Sequence, residues 1–363
     1  MSATLTDDIT ARVLDGARLT VDEGLHLLRE ADLLDLGNLA HHVRMQKHPH
    51  DYVTFVIDTN PNYTNACTTD CQFCAFYRKP GHADVYVHPV KEMVEIIRRA
   101  VNQGATTLLL QGGHNPDIPY SYYLEMVEAL HAEFPKLALH LWSASEVHQM
   151  AEVAGKTTGE VLQDMWDRGQ RSMPGGGAEV LTDRVKKRIS PKKITTAQWL
   201  DVHREAHRIG MKTTTTMMYG HVETDEDIIE HLDVCRRLQD EYQGFTAFVP
   251  WSFKPSNTLM MPRQTAVAGP ARYLKILAVS RLFLDNIPHI QASWFSEGKK
   301  TGQIALHFGA DDFGGTLIEE RVLAAADHHN RTSTDEVMAI IKESGFKPAQ
   351  RTTLYEVLER FDG

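Results

Sequence analysis

The sequence predicts an α/β protein built as a TIM-type (β/α)8 barrel, complete or nearly complete. From residue 52 onward, short strand-like runs alternate with helical stretches, and such helices are the crossovers that parallel strand pairing requires. A glycine-rich or polar cluster follows almost every run, as expected where barrel loops converge on the C-terminal face. No Gly-x-Gly-x-x-Gly turn follows the first run, so a dinucleotide-binding sheet is not favoured.

The predicted elements follow in a regular order. Residues 7–50 carry apolar residues at helical spacing, with Thr20 placed to cap a helix three positions before Glu23. Eight strand-like runs follow, the last of them weak, at 52–58, 106–113, 137–145, 170–177, 212–220, 245–253, 289–298 and 309–315. The predicted helices between them lie at 88–103, 119–133, 145–169, 195–209, 224–241 and 268–284. We therefore expect an N-terminal helical extension at 1–50, a barrel at 51–325, and a helical tail at 326–363 packed on the barrel.

Composition narrows the class of protein. The formal charge of −10 over 363 residues argues against broad nucleic-acid binding, which needs a basic face. No apolar stretch approaches the roughly 18 residues of a membrane helix, and the opening "MSATLTDDIT" is acidic where a signal peptide is basic. We expect a cytoplasmic protein with a small-molecule substrate, no nucleic-acid partner and no membrane insertion. Oligomeric state is left open.

Three of the four cysteines, Cys67, Cys71 and Cys74, lie within eight residues at the spacing Cys-x3-Cys-x2-Cys. Their neighbours in "NACTTDCQFC" prefer turns to helix interiors, so metal ligation is favoured over a buried stripe of small residues. A structural zinc site takes a fourth Cys or His, and neither His82 nor His114 stands at a zinc-ribbon spacing. An iron-sulfur cluster held by three thiolates keeps one iron open for a reacting ligand.

This loop, with Phe73 before its last cysteine, resembles that of the radical S-adenosylmethionine enzymes. The resemblance implies that the three cysteines ligate a four-iron, four-sulfur cluster whose fourth iron is chelated by S-adenosylmethionine. It implies that an electron from the reduced cluster cleaves the sulfonium and yields a 5′-deoxyadenosyl radical, while the barrel positions and shields the chemistry. It also implies an electron donor such as flavodoxin or ferredoxin.

The same resemblance implies further contacts to S-adenosylmethionine. "QGG" at 111–113 matches a second-strand motif whose backbone receives the methionine amino group, although His114 follows it where an acidic residue is common. An acidic side chain ends the fourth strand, where ribose hydroxyls bind, and "MMYGHVE" resembles a segment beside the adenine. Each signal alone is typical of a tight turn, and their order makes the match specific. The implied contacts are Phe73, Gln111, Gly112, Gly113, Glu179, Met218, Gly220 and Glu223.

Longer stretches such as "PGGGAEVL" and "GFTAFVPWSF" resemble the futalosine-pathway branch of menaquinone biosynthesis. The stretch "SRLFLDNIPHIQASWFSEGKK" most resembles the cyclising enzyme of that branch, with Asn115 a departure where a second histidine would follow "QGGH". The resemblance implies that the radical takes the ribose 4′ hydrogen of dehypoxanthine futalosine. The substrate radical then closes onto the attached benzoate ring and loses one electron and one proton.

Such a cyclisation needs a dry pocket, a near-attack geometry and a base for the final proton. The candidate catalytic residues are His114, His221 and Tyr63, with Glu223 a further candidate base. The candidate substrate contacts, in which arginine suits the benzoate, are Arg78, Trp251, Arg281, Gln291 and Trp294. The aromatic residues that are candidates for the pocket wall are Phe76, Tyr77, Phe248, Trp251, Phe253, Trp294 and Phe295.

Three alternatives stay open at this point. An aminofutalosine synthase would add the radical to an enolpyruvyl benzoate instead of abstracting hydrogen. A deazaflavin synthase would use tyrosine or a pyrimidine as substrate. A non-catalytic metal-binding barrel would contain zinc and be colourless, whereas an iron-sulfur protein is brown.

Overall fold

The computed structural model describes residues 2–261 and 268–361. Its chain begins with three helices, α1 (Ser2–Leu14), α2 (Val21–Glu30) and α3 (Leu33–Lys47). The predicted cap of α2 is confirmed, since the Glu23 amide donates to Thr20 Oγ1 at 3.2 Å and the Thr20 amide donates to the Glu23 carboxylate at 2.8 Å. This reciprocal capping box satisfies two amides that the helix itself cannot pair.

Parallel strands then form a barrel, which confirms the predicted fold class. A curled parallel sheet has the order β2-β3-β4-β5-β6-β7-β8, and β1 pairs with β9 in parallel. The two sheets join because β1 and β2 are halves of one extended segment and because Gln291, after β8, forms a bridge with Asp312 of β9. The strands are β1 (Tyr52–Val56), β2 (Asp58–Thr59), β3 (Thr107–Leu110), β4 (Ala138–Leu141), β5 (Ser172–Met173), β6 (Lys212–Tyr219), β7 (Phe245–Ser252), β8 (His289–Ile290) and β9 (Asp312–Gly315).

Helices cover the outside of the barrel. They are α4 (Val90–Asn102), α5 (Tyr120–Glu133), α6 (Ala144–Ala154), α7 (Thr158–Asp167), α8 (Asp183–Ile189), α9 (Thr196–Arg208), α10 (Asp225–Tyr242), α11 (Pro270–Phe283), α12 (Trp294–Glu297), α13 (Lys299–Ala305) and α14 (Thr334–Glu343). The single helix predicted at 145–169 is wrong, because Gly155 takes a φ of +62° and Thr157 opens α7 with its own capping box. The short helices α8, α12 and α13 were not predicted.

The helical tail expected at 326–363 is only partly helical. After α14 the chain forms a hairpin of β10 (Lys347–Arg351) and β11 (Val357–Arg360), and β10 runs parallel to β1. At the start of β9, Arg351 makes a bidentate ion pair with Asp312, at 2.5 and 2.8 Å. Tyr355 stacks on His289 at the start of β8, with ring centroids 3.7 Å apart. The tail therefore closes the N-terminal end of the barrel.

The apolar core fills the space between strands and helices. Side chains from five different outer helices are at most 1% exposed: Ile97, Val127, Leu162, Val202 and Leu277. This arrangement leaves the barrel interior and the strand ends for polar groups. None of the described helices combines the length and the apolar character that a membrane span requires.

Candidate active site

The cysteine loop follows β2 and is held in shape by one arginine. The Cys67 amide donates to the Arg78 carbonyl at 2.9 Å, and the Arg78 amide donates to the Asn65 carbonyl at 2.8 Å. The Arg78 guanidinium donates to the carbonyls of Ala75 and Tyr77 at 3.2 and 2.9 Å. Arg78 thus supports the loop from within. It is not among the residues that line the barrel cavity, so its predicted contact with the substrate gains no support here and stays a prediction.

The three thiols are largely shielded from water. Cys67 and Cys71 are buried and Cys74 is half-buried. The Thr69 hydroxyl lies 3.0 Å from Cys67 Sγ and 3.4 Å from Cys71 Sγ. Burial raises the pKa of the Cys71 thiol to about 12, although the Lys193 ammonium acts in the opposite direction. Binding as thiolates therefore calls for a strong positive charge at the sulfurs, which a metal centre provides.

The number of thiols favours a cluster over a structural zinc ion. A structural zinc site takes four ligands, and the loop supplies three cysteines, Cys67, Cys71 and Cys74. Three irons of a four-iron cluster would take one thiolate each, which leaves one position for another ligand. The donor set therefore fits such a cluster.

The "QGG" segment after β3 lies directly behind this loop. A Cβ on Gly113 would stand 2.1 Å from the Ala66 carbonyl oxygen, so only glycine permits the approach. The Gly113 amide donates to the Thr64 carbonyl at 3.0 Å, and the Gly112 amide donates to Glu146 Oε1 at 2.8 Å. Both amides have protein partners. The methionine amino group is a donor, so its partners in this segment would be carbonyl oxygens. That implied contact stays a prediction.

Glu179 is held as a carboxylate at the end of "PGGGAE". Its Oε1 accepts from Lys193 Nζ at 2.8 Å, and Lys186 Nζ lies 3.5 Å from Oε2. Burial alone would raise the pKa of Glu179, but these two ammonium groups hold it below its usual value. Glu179 Oε2 is buried and accepts no hydrogen bond from a donor in the described part of the chain. The lysines were not singled out from sequence, and Lys193 also lies 5.7 Å above the centre of the Phe73 ring. A ligand hydroxyl would satisfy Oε2, which supports the predicted ribose contact.

The barrel encloses a cavity of about 270 Å³, close to the lower end of the range for ligand pockets. Its wall is mostly apolar, as ligand pockets usually are, with a few polar groups. Six residues predicted for cofactor, substrate or pocket wall line it: Gln111, Glu179, Met218, Trp251, Gln291 and Phe295. The tail contributes Arg351, Thr353 and Tyr355. Substrate and cofactor residues predicted from separate strands thus share one space.

Two of the candidate catalytic residues lie outside the cavity wall. His114 Nε2 lies 2.8 Å from Ser145 Oγ, and burial lowers the pKa of His114 to about 3. Tyr63 is fully buried behind Gly112 and donates to Glu146 Oε1 at 3.0 Å. Burial also raises the pKa of Tyr63 well above its usual value. Their position gives no support to a role as the final base, which stays a prediction.

The third candidate, His221, belongs to a closed turn after β6. Gly220 takes a φ of +88°, and the Glu223 carboxylate accepts the amides of Gly220 and His221 at 2.6 and 2.9 Å. His221 Nε2 donates to the Met218 carbonyl at 2.8 Å, while Nδ1 accepts the next backbone amide at 2.7 Å. Burial lowers the pKa of His221 despite Glu223. His221 and Glu223 therefore build the turn that carries Met218 into the cavity wall.

Two predicted substrate contacts, Arg281 and Trp294, lie outside the cavity wall. Arg281 is fully buried, pairs with Asp311, and donates to the carbonyls of Gly309 and Pro288 at 2.7 and 3.0 Å. Every guanidinium nitrogen thus has a protein partner, so Arg281 ties α11 to the strands beneath it. Trp294 is also fully buried and donates to a carbonyl in β9. Their positions give no support to substrate contacts, which stay predictions.

Sequence reasoning missed three charged residues of the cavity wall, Asp58, Glu320 and Arg351. Asp58 had a local signal, since it is the only charged residue of the run "YVTFVID" and ends it. Arg351 had none, because its place depends on the pairing of β10 with β1 across the whole barrel.

The chain matches two known families in succession. Residues 61–235 match the radical SAM superfamily, and residues 242–362 match the CofH/MqnC C-terminal region. Among solved structures, methylornithine synthase superposes with a TM-score of 0.73 at 18% identity, covering 94% of this chain and 97% of that one. At that identity the likeness supports the fold alone.

Relatives with three different names match almost the whole chain. A cyclic dehypoxanthine futalosine synthase of Halalkalibacterium halodurans is 41% identical over 98% of this chain and 96% of its own length. An aminodeoxyfutalosine synthase of Thermus thermophilus is 37% identical over 98% and 96%. A 5-amino-6-(D-ribitylamino)uracil--L-tyrosine 4-hydroxyphenyl transferase of Methanopyrus kandleri is 40% identical over 93% of both chains.

The family implies a four-iron, four-sulfur cluster and S-adenosylmethionine as cofactors. The three-thiolate loop, the ionised Glu179 and the glycine approaches behind the loop fit that pair. The chain therefore belongs to the radical S-adenosylmethionine superfamily and is one of its enzymes, with the CofH/MqnC type of C-terminal region.

Proposed function

We propose that this enzyme converts dehypoxanthine futalosine to cyclic dehypoxanthine futalosine in menaquinone biosynthesis. The observation that carries the proposal is the end-to-end similarity to a protein named for that reaction. An external one-electron donor such as flavodoxin or ferredoxin would complete the system. We propose a cytoplasmic location, because reducing surroundings keep the three thiols available.

When bound, the cluster and S-adenosylmethionine supply a carbon-centred radical that can remove a hydrogen atom from an unactivated C–H bond. Cys67, Cys71 and Cys74 would hold the cluster, and Glu179 would bind hydroxyl groups of the cofactor. The ion pairs of Glu179 with Lys193 and Lys186 keep this carboxylate ionised and fixed in place.

The enclosed cavity supports a reaction within one substrate molecule. Its apolar wall includes Leu109, Met218, Trp251 and Phe295, which suit an aromatic ring and exclude the water that would compete with a radical step. The tail closes the far end through Arg351 and Tyr355. A substrate confined in this way is held near the geometry of ring closure.

The test is a product assay with anaerobically reconstituted, reduced enzyme and S-adenosylmethionine. With dehypoxanthine futalosine, we expect a product that lacks two hydrogen atoms and an equal amount of free 5′-deoxyadenosine. Parallel arms contain an enolpyruvyl benzoate, and tyrosine with 5-amino-6-(D-ribitylamino)uracil. Incorporation of the adenosyl group into product would instead identify an aminodeoxyfutalosine synthase. Turnover only in the tyrosine arm would identify the transferase reaction.

A further inference from the structure

We propose that Asp58 is the cavity residue that accepts a hydrogen bond from a hydroxyl group on the sugar part of the substrate. This inference deepens the proposed function and rests on it for the identity of the ligand. It assigns a substrate contact at a position that none of the motifs includes.

The carboxylate of Asp58 has one occupied oxygen and one available oxygen. Asp58 begins β2, is 6% exposed and lines the cavity. Its Oδ1 accepts the Leu317 amide at 2.7 Å. Within the described part of the chain, Oδ2 accepts no hydrogen bond from a protein donor. Asp58 lines the cavity, so the unused capacity of Oδ2 to accept a hydrogen bond is available to a donor from a bound ligand.

The residues around Asp58 hold its carboxylate in a fixed position. A Cβ on Gly315 would stand 2.2 Å from Asp58 Oδ1, so glycine is needed beside the carboxylate. Leu317, which donates the amide, takes a φ of +51°, a conformation that is uncommon for a residue with this side chain. Such outliers persist where the surrounding structure enforces them, often at ligand sites. Here the turn aims the Leu317 amide at Oδ1 and so fixes the direction of Oδ2.

Among the described residues, no cation forms an ion pair with Asp58. Arg351, whose charge acts on this group, is committed to Asp312 in a bidentate ion pair. Burial raises the pKa of Asp58 to about 6, although the Leu317 amide and Arg351 both act to lower it, and Asp312 acts to raise it. At neutral pH the group is thus a carboxylate whose only remaining capacity is to accept a donor.

The charge of Asp58 selects which part of the substrate lies beside it. Dehypoxanthine futalosine carries a benzoate, which a carboxylate repels, and sugar hydroxyls, which donate to it. The benzoate is therefore placed away from Asp58 and the sugar against it. Hydroxyl donors to a charged acceptor form some of the stronger hydrogen bonds in proteins.

The experiment measures dissociation constants by calorimetry on the unreduced holoenzyme with S-adenosylmethionine, for dehypoxanthine futalosine and for analogues that each lack one sugar hydroxyl. Asp58→Asn keeps an oxygen for the Leu317 amide and replaces the cavity acceptor with a donor. We expect it to weaken binding of the full substrate by roughly 10- to 100-fold. One analogue should bind the unaltered enzyme more weakly than the full substrate does, by a similar factor. With Asp58→Asn, removal of the same hydroxyl should weaken binding little further. Asp51→Asn, the same change at an exposed carboxylate before the same strand, is the matched control and should bind normally.

A dissociation constant of Asp58→Asn for the substrate within twofold of that of the unaltered enzyme would overturn the proposal. The proposal would also be overturned if every analogue lost the same affinity in both proteins. If Asp58→Asn does not fold, the analogue losses are measured with the unaltered enzyme at pH 7 and pH 5. The contacted hydroxyl should then matter less at pH 5, and an unchanged loss would refute the assignment. A chain that binds dehypoxanthine futalosine but ignores Asp58 would refute only this inference. A chain that does not bind it removes the proposed function as well.

Discussion

The two ends of the barrel are built in different ways. At the C-terminal end, the cysteine loop is fixed by backbone hydrogen bonds within 65–78 and by the close approach of Gly113 to Ala66. At the N-terminal end, the barrel is closed by Arg351 and Asp312, which come from different strands and form a buried ion pair. The shape of the cysteine loop itself depends on hydrogen bonds between neighbours in sequence, whereas closure of the second end depends on pairing between distant segments.

The two ends also differ in the chemistry that we assign to them, which is radical formation at one end and substrate binding at the other. The cysteine loop lies in the region that matches the whole radical SAM superfamily, whereas Arg351 and Tyr355 lie in the CofH/MqnC C-terminal region. The cavity takes its wall from both, with Glu179 and Met218 from the first region and the tail residues from the second, while Asp58 lies just before the first region. Changes at the cysteine end should therefore abolish radical formation. Changes at the tail end should mainly affect stability and substrate binding.

The largest expected effect is at the cysteine end. Cys71→Ala removes one of three cluster ligands and should lower S-adenosylmethionine cleavage by at least about 1000-fold, because the radical has no other source. The measurement is 5′-deoxyadenosine formed by reduced enzyme, together with iron content and a melting curve. The barrel should remain folded, since the loop is peripheral to the core.

Cys235→Ala is the matched control for that variant. Cys235 is buried in α10 and its Sγ lies 3.2 Å from Thr215 Oγ1, remote from the cysteine loop in sequence. We expect cleavage within about twofold of the unaltered enzyme and a modest loss of stability, as for a small core truncation. Retained turnover in Cys71→Ala would contradict the cluster assignment.

The next largest effect is at the tail end. Arg351→Met leaves Asp312 buried without its cation, and breaking a buried pair in this way lowers the free energy of unfolding by about 3–5 kcal/mol. Chemical denaturation measures it. At temperatures where the variant is folded, S-adenosylmethionine cleavage without substrate should persist, while binding of dehypoxanthine futalosine weakens.

Arg360→Met tests whether that loss reflects the ion pair. Arg360 lies in the same hairpin and is exposed, with its guanidinium 4.7 Å above the ring of Tyr52. A cation over an exposed ring contributes about 0.5–1 kcal/mol, so this variant should lose much less stability. Equal losses in the two variants would mean that the hairpin as a whole, and not the ion pair, closes the barrel.

The sequence predicted the cysteine end of the barrel much better than the end that the tail closes. The cysteine spacing, the strand and helix alternation and the capping box of α2 depend on near neighbours, and all three are present in the structure. The strand β10 was missed because its pairing with β1 is a contact between distant segments, and β11 in turn pairs with β10. The ion pair of Arg281 could not be predicted for a similar reason, since its partner Asp311 is recognisable only once the barrel has closed.

A smaller effect concerns the pH dependence of Asp58 and Glu179, two of the carboxylates in the cavity wall. A ligand hydroxyl that donates to ionised Asp58 lowers the pKa of that group in the complex. The affinity for dehypoxanthine futalosine should therefore be highest above about pH 6 and fall at lower pH, by up to about tenfold at pH 5. Arg351, Asp312 and the Leu317 amide are the groups that set this pKa.

Binding of S-adenosylmethionine provides the internal comparison for this titration. Its proposed partner Glu179 has a pKa held below the usual value by Lys193 and Lys186, so its charge is constant from pH 7 to pH 5. Calorimetry at both pH values should show substrate affinity falling and cofactor affinity steady. A parallel fall of both affinities would show that Asp58 is not the titrating group.

The smallest expected effect lies outside both ends, at the cap of α2. Thr20→Ala removes the hydroxyl that accepts the Glu23 amide, and loss of such a cap costs about 1 kcal/mol. Chemical denaturation should show that loss, with cleavage and substrate affinity unchanged, because α2 contributes no side chain to the cavity wall. The ratio between this loss and that of Arg351→Met measures how far stability is concentrated at the tail end. Comparable losses would mean that the tail is only one peripheral element among several, and the contrast between the two ends would then concern chemistry alone.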